Sequence, residues 1–159
     1  MKLMETWVKA PFLRESSLLI VGECVQTTFP RVYKKFEKGR LVLSNCPEAE
    51  NNGLITSKLA TILACANPKE VTVLTVDGSP HCFALHSALN QALFLTKAKT
   101  PSHHYVIVNG EALEVNHESV RVGRYLHLVQ KCVENQPEIL EELRRHSLEQ
   151  RCFKKSPSK

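Results

Sequence analysis

Three cysteines of this sequence follow three apolar segments at similar positions. Cys24 comes after the apolar run 18–21, Cys46 comes after the run 41–43, and Cys82 lies a few residues beyond the run 71–76. Thiolate sulfur is a preferred ligand of zinc and of iron–sulfur clusters. Three thiols that met in the fold would therefore make a binding site for Zn²⁺ or for an iron–sulfur cluster.

Two histidines beside Cys82 are candidates for a fourth ligand. His81 directly precedes Cys82, whereas His86 follows it by four residues, which is about one turn along the same face of a helix. Spacing favours His86, because two side chains that are adjacent in sequence coordinate one ion only with unfavourable geometry. The expected site therefore contains at most three cysteines and one histidine.

Patterns typical of strands and helices alternate along the chain. The predicted strands are 18–21, 41–43, 71–76, 105–108 and 111–115. The predicted helices begin at Pro30, about Gly53, Pro80, about Glu118 and Pro137, and the fourth runs to about Glu134. The last two strands are joined by Asn109-Gly110, a strong signal for a type I′ hairpin turn.

This alternation predicts one three-layer α/β domain over residues 1–150. A mostly parallel sheet would carry helices on both faces and an antiparallel hairpin at one edge. Residues 151–159 are basic and predicted to form a disordered tail. Ligands of such sheets bind outside the carboxyl ends of the strands, and neighbouring strands lie about 4.8 Å apart. We therefore expect Cys24, Cys46 and Cys82 to surround one centre.

Composition and motif content argue against several classes of partner. The 159 residues carry a net charge of only +5, and no basic stripe interleaved with aromatic residues predicts nucleic-acid binding. No run approaches the roughly 18 apolar residues that span a bilayer, and the N-terminus does not resemble a signal peptide. We therefore expect a cytoplasmic protein with reduced thiols and no membrane partner. A glycine-rich nucleotide motif is also absent.

The remaining cysteines and histidines favour ordinary roles. Cys65 and Cys132 lie in helical segments and are predicted to be core residues. His103 and His104 begin the hairpin strand and are predicted to be solvated loop residues. Cys152 lies in the tail and is expected to be incidental.

The motifs at the strand ends resemble those of a known family. Over residues 18–92, about half the chain, the sequence resembles the domain that follows the cluster motifs in prokaryotic 4Fe–4S ferredoxin-type iron–sulfur proteins. That family has Cys-Val, Cys-Pro and Pro-Cys-Cys steps at its strand ends. The matching steps here are Cys24-Val25, Cys46-Pro47 and Pro80-His81-Cys82.

Two departures from the family pattern qualify what the resemblance implies. No cysteine precedes Cys24, so the ferredoxin motifs themselves are absent, and His81 stands where the family has the first of two paired cysteines. Histidine is itself a metal ligand, so the resemblance implies that His81 belongs to the site. It also implies a metal- or iron–sulfur-binding redox accessory role and a redox partner protein.

Three alternative functions stay open from the sequence. Cys82 in the first turn of a helix is typical of an activated thiol, which would suit sulfur transfer or thiol redox chemistry. A doubly wound module for a nucleotide or flavin is the second alternative, although its motifs are missing. The third is an interaction module that has lost its site.

Overall fold

The computed structural model describes residues 1–149 of the chain. The protein consists of two compact units, Met1–Val120 and a second unit that begins at Arg121. That residues 1–150 form a single α/β domain stays a prediction. The predicted basic tail, 151–159, lies outside the described residues.

The first unit is built on a five-stranded sheet. The strands are β1 (Ser17–Gly22), β2 (Leu41–Asn45), β3 (Glu70–Val76), β4 (Ser102–Val108) and β5 (Glu111–Val115). Their order is β2-β1-β3-β4-β5, in which β4 and β5 pair antiparallel and the other neighbours pair in parallel. The predicted fold, a mostly parallel sheet with an antiparallel edge hairpin, is confirmed.

Helices connect and flank these strands. They are α1 (Glu23–Thr28), α2 (Pro30–Glu37), α3 (Asn52–Ala66), α4 (Pro80–Thr96) and α5 (His117–Val122), and the second unit contains α6 (Leu126–Asn135) and α7 (Ile139–His146). A 3-10 turn over Pro11–Leu13 precedes β1. None of the helices between residues 1 and 149 is long and apolar enough to cross a membrane.

Alternation along the strands separates two apolar cores, one on each face of the sheet. Leu18 and Ile20 of β1 pack in the larger core with residues of α3 and α4. Leu19 and Val21 point the other way, toward a smaller core formed with α1 and α2. The two faces of the sheet are therefore both covered, which gives the predicted three layers.

Local signals fix the starts of the two long helices. The Asn51 side chain accepts hydrogen bonds from the backbone nitrogens of Gly53 and Leu54, at 2.8 and 3.3 Å, and so caps α3. Ser79 caps α4 in the same way, accepting from the backbone nitrogen of Cys82 at 3.3 Å. The predicted start of α4 at Pro80 is confirmed.

The hairpin turn has the backbone geometry that its sequence indicates. Asn109 and Gly110 both have positive φ, +51° and +84°, which a type I′ turn requires at its two central positions. Asparagine and glycine adopt this region more readily than other residues. The predicted hairpin between β4 and β5 is confirmed.

Several predictions about helices and cysteines are wrong. The short helix α1 was not predicted, and the helix predicted over 118–134 is two helices separated by residues 123–125, where Gly123 has a low helix propensity. Cys65 and Cys132 are exposed, not core residues. Cys65 lies beside the buried stripe of α3, and no residue of α6 is buried.

Candidate functional site

The strand order brings the three predicted cysteines to one edge of the sheet. Cys46 directly follows β2, Cys24 is the second residue after β1, and Cys82 is the third residue of α4 after β3. Since β2, β1 and β3 are adjacent and parallel, their carboxyl ends lie side by side. Cys24 and Cys82 flank the junction of β1 and β3, where the strand order reverses. Doubly wound sheets bind ligands outside such a reversal.

The Cys24 sulfur lies close to this junction. A Cβ atom on Gly22 would lie 4.0 Å from Cys24 Sγ and also 4.0 Å from the carbonyl oxygen of Leu74 in β3. Burial raises the pKa of the Cys24 thiol, and the charges of Cys82, Cys46 and Glu23 raise it further. Cys82 and Cys46 are therefore close enough to influence the Cys24 thiol electrostatically.

Cys46 and Cys82 occupy less exposed positions. Cys82 is 8% exposed, and Cys46 is half-buried beside a small cavity of about 50 Å³ that Asn45 and Glu23 also line. Asn45 is 2% exposed, and its side-chain nitrogen has no hydrogen-bond partner within the described part of the chain. The residue that directly precedes Cys46 therefore carries a buried amide donor without a partner among the described residues.

The thiols do not close around a common centre. Within residues 1–149, no group of three or more His, Cys, Asp or Glu side chains is arranged to hold a metal ion. The donor set suits zinc or an iron–sulfur cluster by its chemistry, because thiolates bind both. Binding would require the cysteine side chains to rotate toward one another.

The two candidate histidines have different environments. His81 is exposed in the first turn of α4. His86 is only 2% exposed, with Nε2 lying 2.8 Å from Thr75 Oγ1 and Nδ1 lying 3.0 Å from Nδ1 of His104. Since both ring nitrogens of His86 are engaged in hydrogen bonds, neither is free for a metal in this arrangement.

The prediction that His104 is a solvated loop residue is wrong. It is 1% exposed, because β4 begins at Ser102 and alternation turns the His104 side chain toward α4. His103 points away from α4, where its Nδ1 lies 3.2 Å from Oε1 of Glu114. The position of a histidine within the strand, not its residue type, decides between the two environments.

The buried histidines are neutral near pH 7. Burial, followed by the charge of His104, lowers the pKa of His86 to about 3. Burial likewise lowers the pKa of His104 to about 4, with smaller contributions from His117 and His103. One Nδ1 atom therefore carries the proton of the bond between the two rings and the other accepts it.

A pocket of about 440 Å³ adjoins His86 at the carboxyl end of β3, beside β4 and β5. Its lining residues are Thr75, Val76, Asp77, Gly78, Ser79, Pro80, Phe83, His86, Val106, Val115, Ser119 and Val120. The pocket was not predicted. Its only signal in the sequence was the turn Asp77-Gly78 before the cap Ser79, which marks the loop that closes one side.

Comparison with known proteins agrees with the fold. The chain is 27% identical over 114 residues to an uncharacterized protein of Archaeoglobus fulgidus, and the match covers 71% of this chain and 79% of that relative. No solved structure matches the chain significantly. The family model for the Rossmann-like domain matches residues 10–158. The chain therefore belongs to the family of Rossmann-like domains.

Proposed function

We propose that the chain is a redox accessory protein that binds a metal ion or an iron–sulfur cluster through Cys24, Cys46 and Cys82. One observation carries the proposal: the order β2-β1-β3 sets the three cysteines after three adjacent parallel strands. Cys24 and Cys82 flank the reversal of strand order, where sheets of this kind bind ligands. The likeness of these strand ends to those of ferredoxin-type iron–sulfur proteins supports the same site.

The electrostatics of the thiols suit a cationic ligand. Burial raises the pKa of the Cys24 thiol, and repulsion from ionised Cys82 and Cys46 raises it further. A metal cation reverses that balance, because it stabilises thiolates and releases their protons on binding. The Asn45 amide, which has no hydrogen-bond partner in the described part of the chain, would supply a donor for the bound group if its side chain turned toward a sulfur.

We infer that His81 is the fourth ligand rather than His86. The His81 side chain is exposed at the start of α4, next to Cys82 in the chain, and is therefore free to turn. His86 is buried and bonded at both nitrogens. Using His86 would cost two hydrogen bonds and leave Thr75 and His104 without their shared partner.

This role calls for a reducing compartment and a redox partner. In the cytoplasm the thiols would stay reduced and available as ligands. A bound iron–sulfur cluster would exchange electrons with a partner protein, whereas a zinc ion would act structurally. Metal identity therefore separates the redox role from a structural one.

Metal content and absorption of anaerobically purified protein test the proposal. We expect zinc or iron at a level near one site per chain, and an absorption band in the visible if the iron belongs to a cluster. Cys46→Ser should remove the metal, whereas Cys65→Ser should retain it, because Cys65 is exposed on α3 outside the site. Metal-free wild-type protein, or equal metal in both variants, would contradict the proposal.

The second candidate is thiol chemistry at Cys82 without a metal. Its position in the first turn of α4, with the helix capped by Ser79, favours this alternative. Alkylation separates the two: a metal-bound sulfur resists iodoacetamide until a chelator is added. Alkylation of Cys82 that a chelator leaves unchanged would favour the thiol enzyme.

A further inference from the structure

We propose that the 440 Å³ pocket beside β3 and β4 is a second binding site, for a small, mostly apolar molecule that carries no negative charge and is held by one hydrogen bond to the Thr75 hydroxyl. None of the three thiols of the proposed metal site lines this pocket. The site is therefore separate from the proposed metal centre, and the two proposals can fail independently.

The size and walls of the pocket set the class of ligand. Pockets of about 300–1,000 Å³ accommodate small organic ligands. Val106 of β4, Val115 of β5 and Val120 of α5 form apolar walls, and Pro80 and Phe83 of α4 add a further apolar surface. A molecule of two or three rings would bury most of its surface here.

The charges around the pocket disfavour a phosphate-bearing ligand. No Lys or Arg is found among the lining residues that the structure describes, whereas the Asp77 carboxylate is present. His86 adds no positive charge near pH 7, since burial lowers its pKa to about 3. At the start of α4, Pro80 has no backbone N–H, and the backbone N–H groups of Cys82 and Phe83 already donate to Ser79.

Thr75 supplies a polar anchor inside this apolar pocket. Its side chain is fully buried, and its hydroxyl lies 2.8 Å from Nε2 of His86. A hydroxyl has one donor and two acceptor sites, so the bond to His86 leaves hydrogen-bonding capacity for a ligand. Because Thr75 has no exposed surface in the unliganded pocket, a ligand engages its hydroxyl only when the pocket walls shift to admit it, and the bond it then gains is one that bulk water does not reach.

The histidine pair lets this anchor adapt to the ligand. When Thr75 donates to a ligand carbonyl, it accepts from Nε2–H of His86, and His86 Nδ1 then accepts from Nδ1–H of His104. When Thr75 instead accepts from a ligand N–H or O–H, it donates to His86 Nε2, and the proton between the rings lies on His86 Nδ1. Both arrangements keep the two rings neutral, so either kind of polar group is accommodated.

Two fluorescent probes that differ by one sulfonate test the proposal. N-phenyl-1-naphthylamine is uncharged and carries an N–H donor, whereas 8-anilinonaphthalene-1-sulfonate is its anionic counterpart. We expect the neutral probe to bind full-length protein at least about tenfold more tightly than the anionic one, because the pocket holds a carboxylate and no cation. Equal or tighter binding of the anionic probe would overturn the ligand class.

Matched variants locate the binding. Val106→Phe fills the pocket and should weaken binding of the neutral probe by at least about tenfold, whereas Val108→Phe, on the same strand outside the pocket, should change it by less than about twofold. Val115→Phe fills the pocket from β5 and serves if Val106→Phe fails to fold. If a folded Val106→Phe or Val115→Phe variant still binds the neutral probe as tightly as the wild type does, the proposed site is overturned.

The polar anchor has its own control. Thr75→Val should lower the affinity for the neutral probe by about fivefold, which corresponds to the loss of one neutral hydrogen bond. Thr72→Val changes the other fully buried threonine of β3, which does not line the pocket, and should leave the affinity unchanged. Long-range ¹H–¹⁵N spectra of the imidazoles should shift for His86 on probe binding. Equal affinities of the two threonine variants would remove Thr75 from the site.

Discussion

Nδ1 of His86 lies 3.0 Å from Nδ1 of His104, with the ring centroids 5.2 Å apart, and this contact joins α4 to β4 inside the apolar core. Thr75 of β3 extends the contact to a chain of three hydrogen-bonding side chains. The last nitrogen of these three side chains, Nε2 of His104, is buried and has no partner among residues 1–149. This hydrogen-bonded trio of side chains is therefore polar and buried, and one of its nitrogens lacks a partner in the described part of the protein. These properties make it sensitive to substitution and to pH.

The first prediction concerns acid stability. Both histidines are neutral in the fold, with pKa values of about 3 and about 4, whereas in the unfolded chain they protonate near their ordinary value. The unfolded state therefore binds more protons below about pH 6.5, so stability present above that pH is lost as the pH falls toward these values, by up to about 1.4 kcal/mol per pH unit for each histidine. Urea unfolding between about pH 7 and 5 measures this slope.

A double variant isolates the contribution of the pair. His86→Leu combined with His104→Leu removes both titrating groups, so its unfolding free energy should change less with pH than that of the wild type. His127→Gln removes an exposed histidine of α6, which is not among the groups that shift the pKa of either buried histidine, and should keep the wild-type slope. Parallel slopes for the wild type and the double variant would refute the assignment.

The second prediction compares two threonines of β3 that are both fully buried. Thr75→Val removes the partner of His86 Nε2 and should lower the free energy of unfolding by roughly 1–3 kcal/mol. Thr72 faces the opposite side of the sheet, and its hydroxyl has no partner in the described chain. Thr72→Val should therefore be neutral or raise stability by roughly 1 kcal/mol. Denaturant melts that reverse this order would disprove it.

The third prediction concerns the reactivity of Cys24 in metal-free protein. Burial and the neighbouring thiols raise the pKa of this thiol, so at about pH 8 less of it is the reactive thiolate than in an ordinary cysteine. Iodoacetamide should modify Cys24 slowly at that pH and faster as the pH rises toward 10, which mass spectrometry of the peptides resolves. Cys82→Ala removes one source of repulsion and should shift the profile of Cys24 to lower pH. An unchanged profile would mean that the two thiols do not interact.

The fourth prediction concerns the cap of α3. Asn51→Ala removes the acceptor for the backbone nitrogens of Gly53 and Leu54 and should lower the free energy of unfolding by about 1 kcal/mol. Asn52→Ala changes the next residue, which is exposed and inside the helix, and should stay within about 0.5 kcal/mol of the wild type. Thermal melts that rank the two variants equally would show that the cap is unimportant.

The sequence determined the elements whose signals are local. The apolar runs, the cap Ser79 before Pro80 and the turn Asn109-Gly110 each act within a few residues, so the strands, the start of α4 and the hairpin followed from them. A run such as 18–21 is short, continuous and flanked by polar residues, which is typical of a buried parallel strand. The fold class could therefore be predicted from the sequence alone.

Tertiary structure decided what depends on partners distant in the chain. That His104 is buried against His86, that Cys65 is exposed, and that the ends of β2, β1 and β3 lie side by side are outcomes of strand order and of packing between layers. Burial depends on which surface a neighbouring element covers, and local propensity does not carry that information. For this reason the three cysteines could be singled out along the chain, whereas the histidine pair and its pocket emerged only once α4 packed on the sheet.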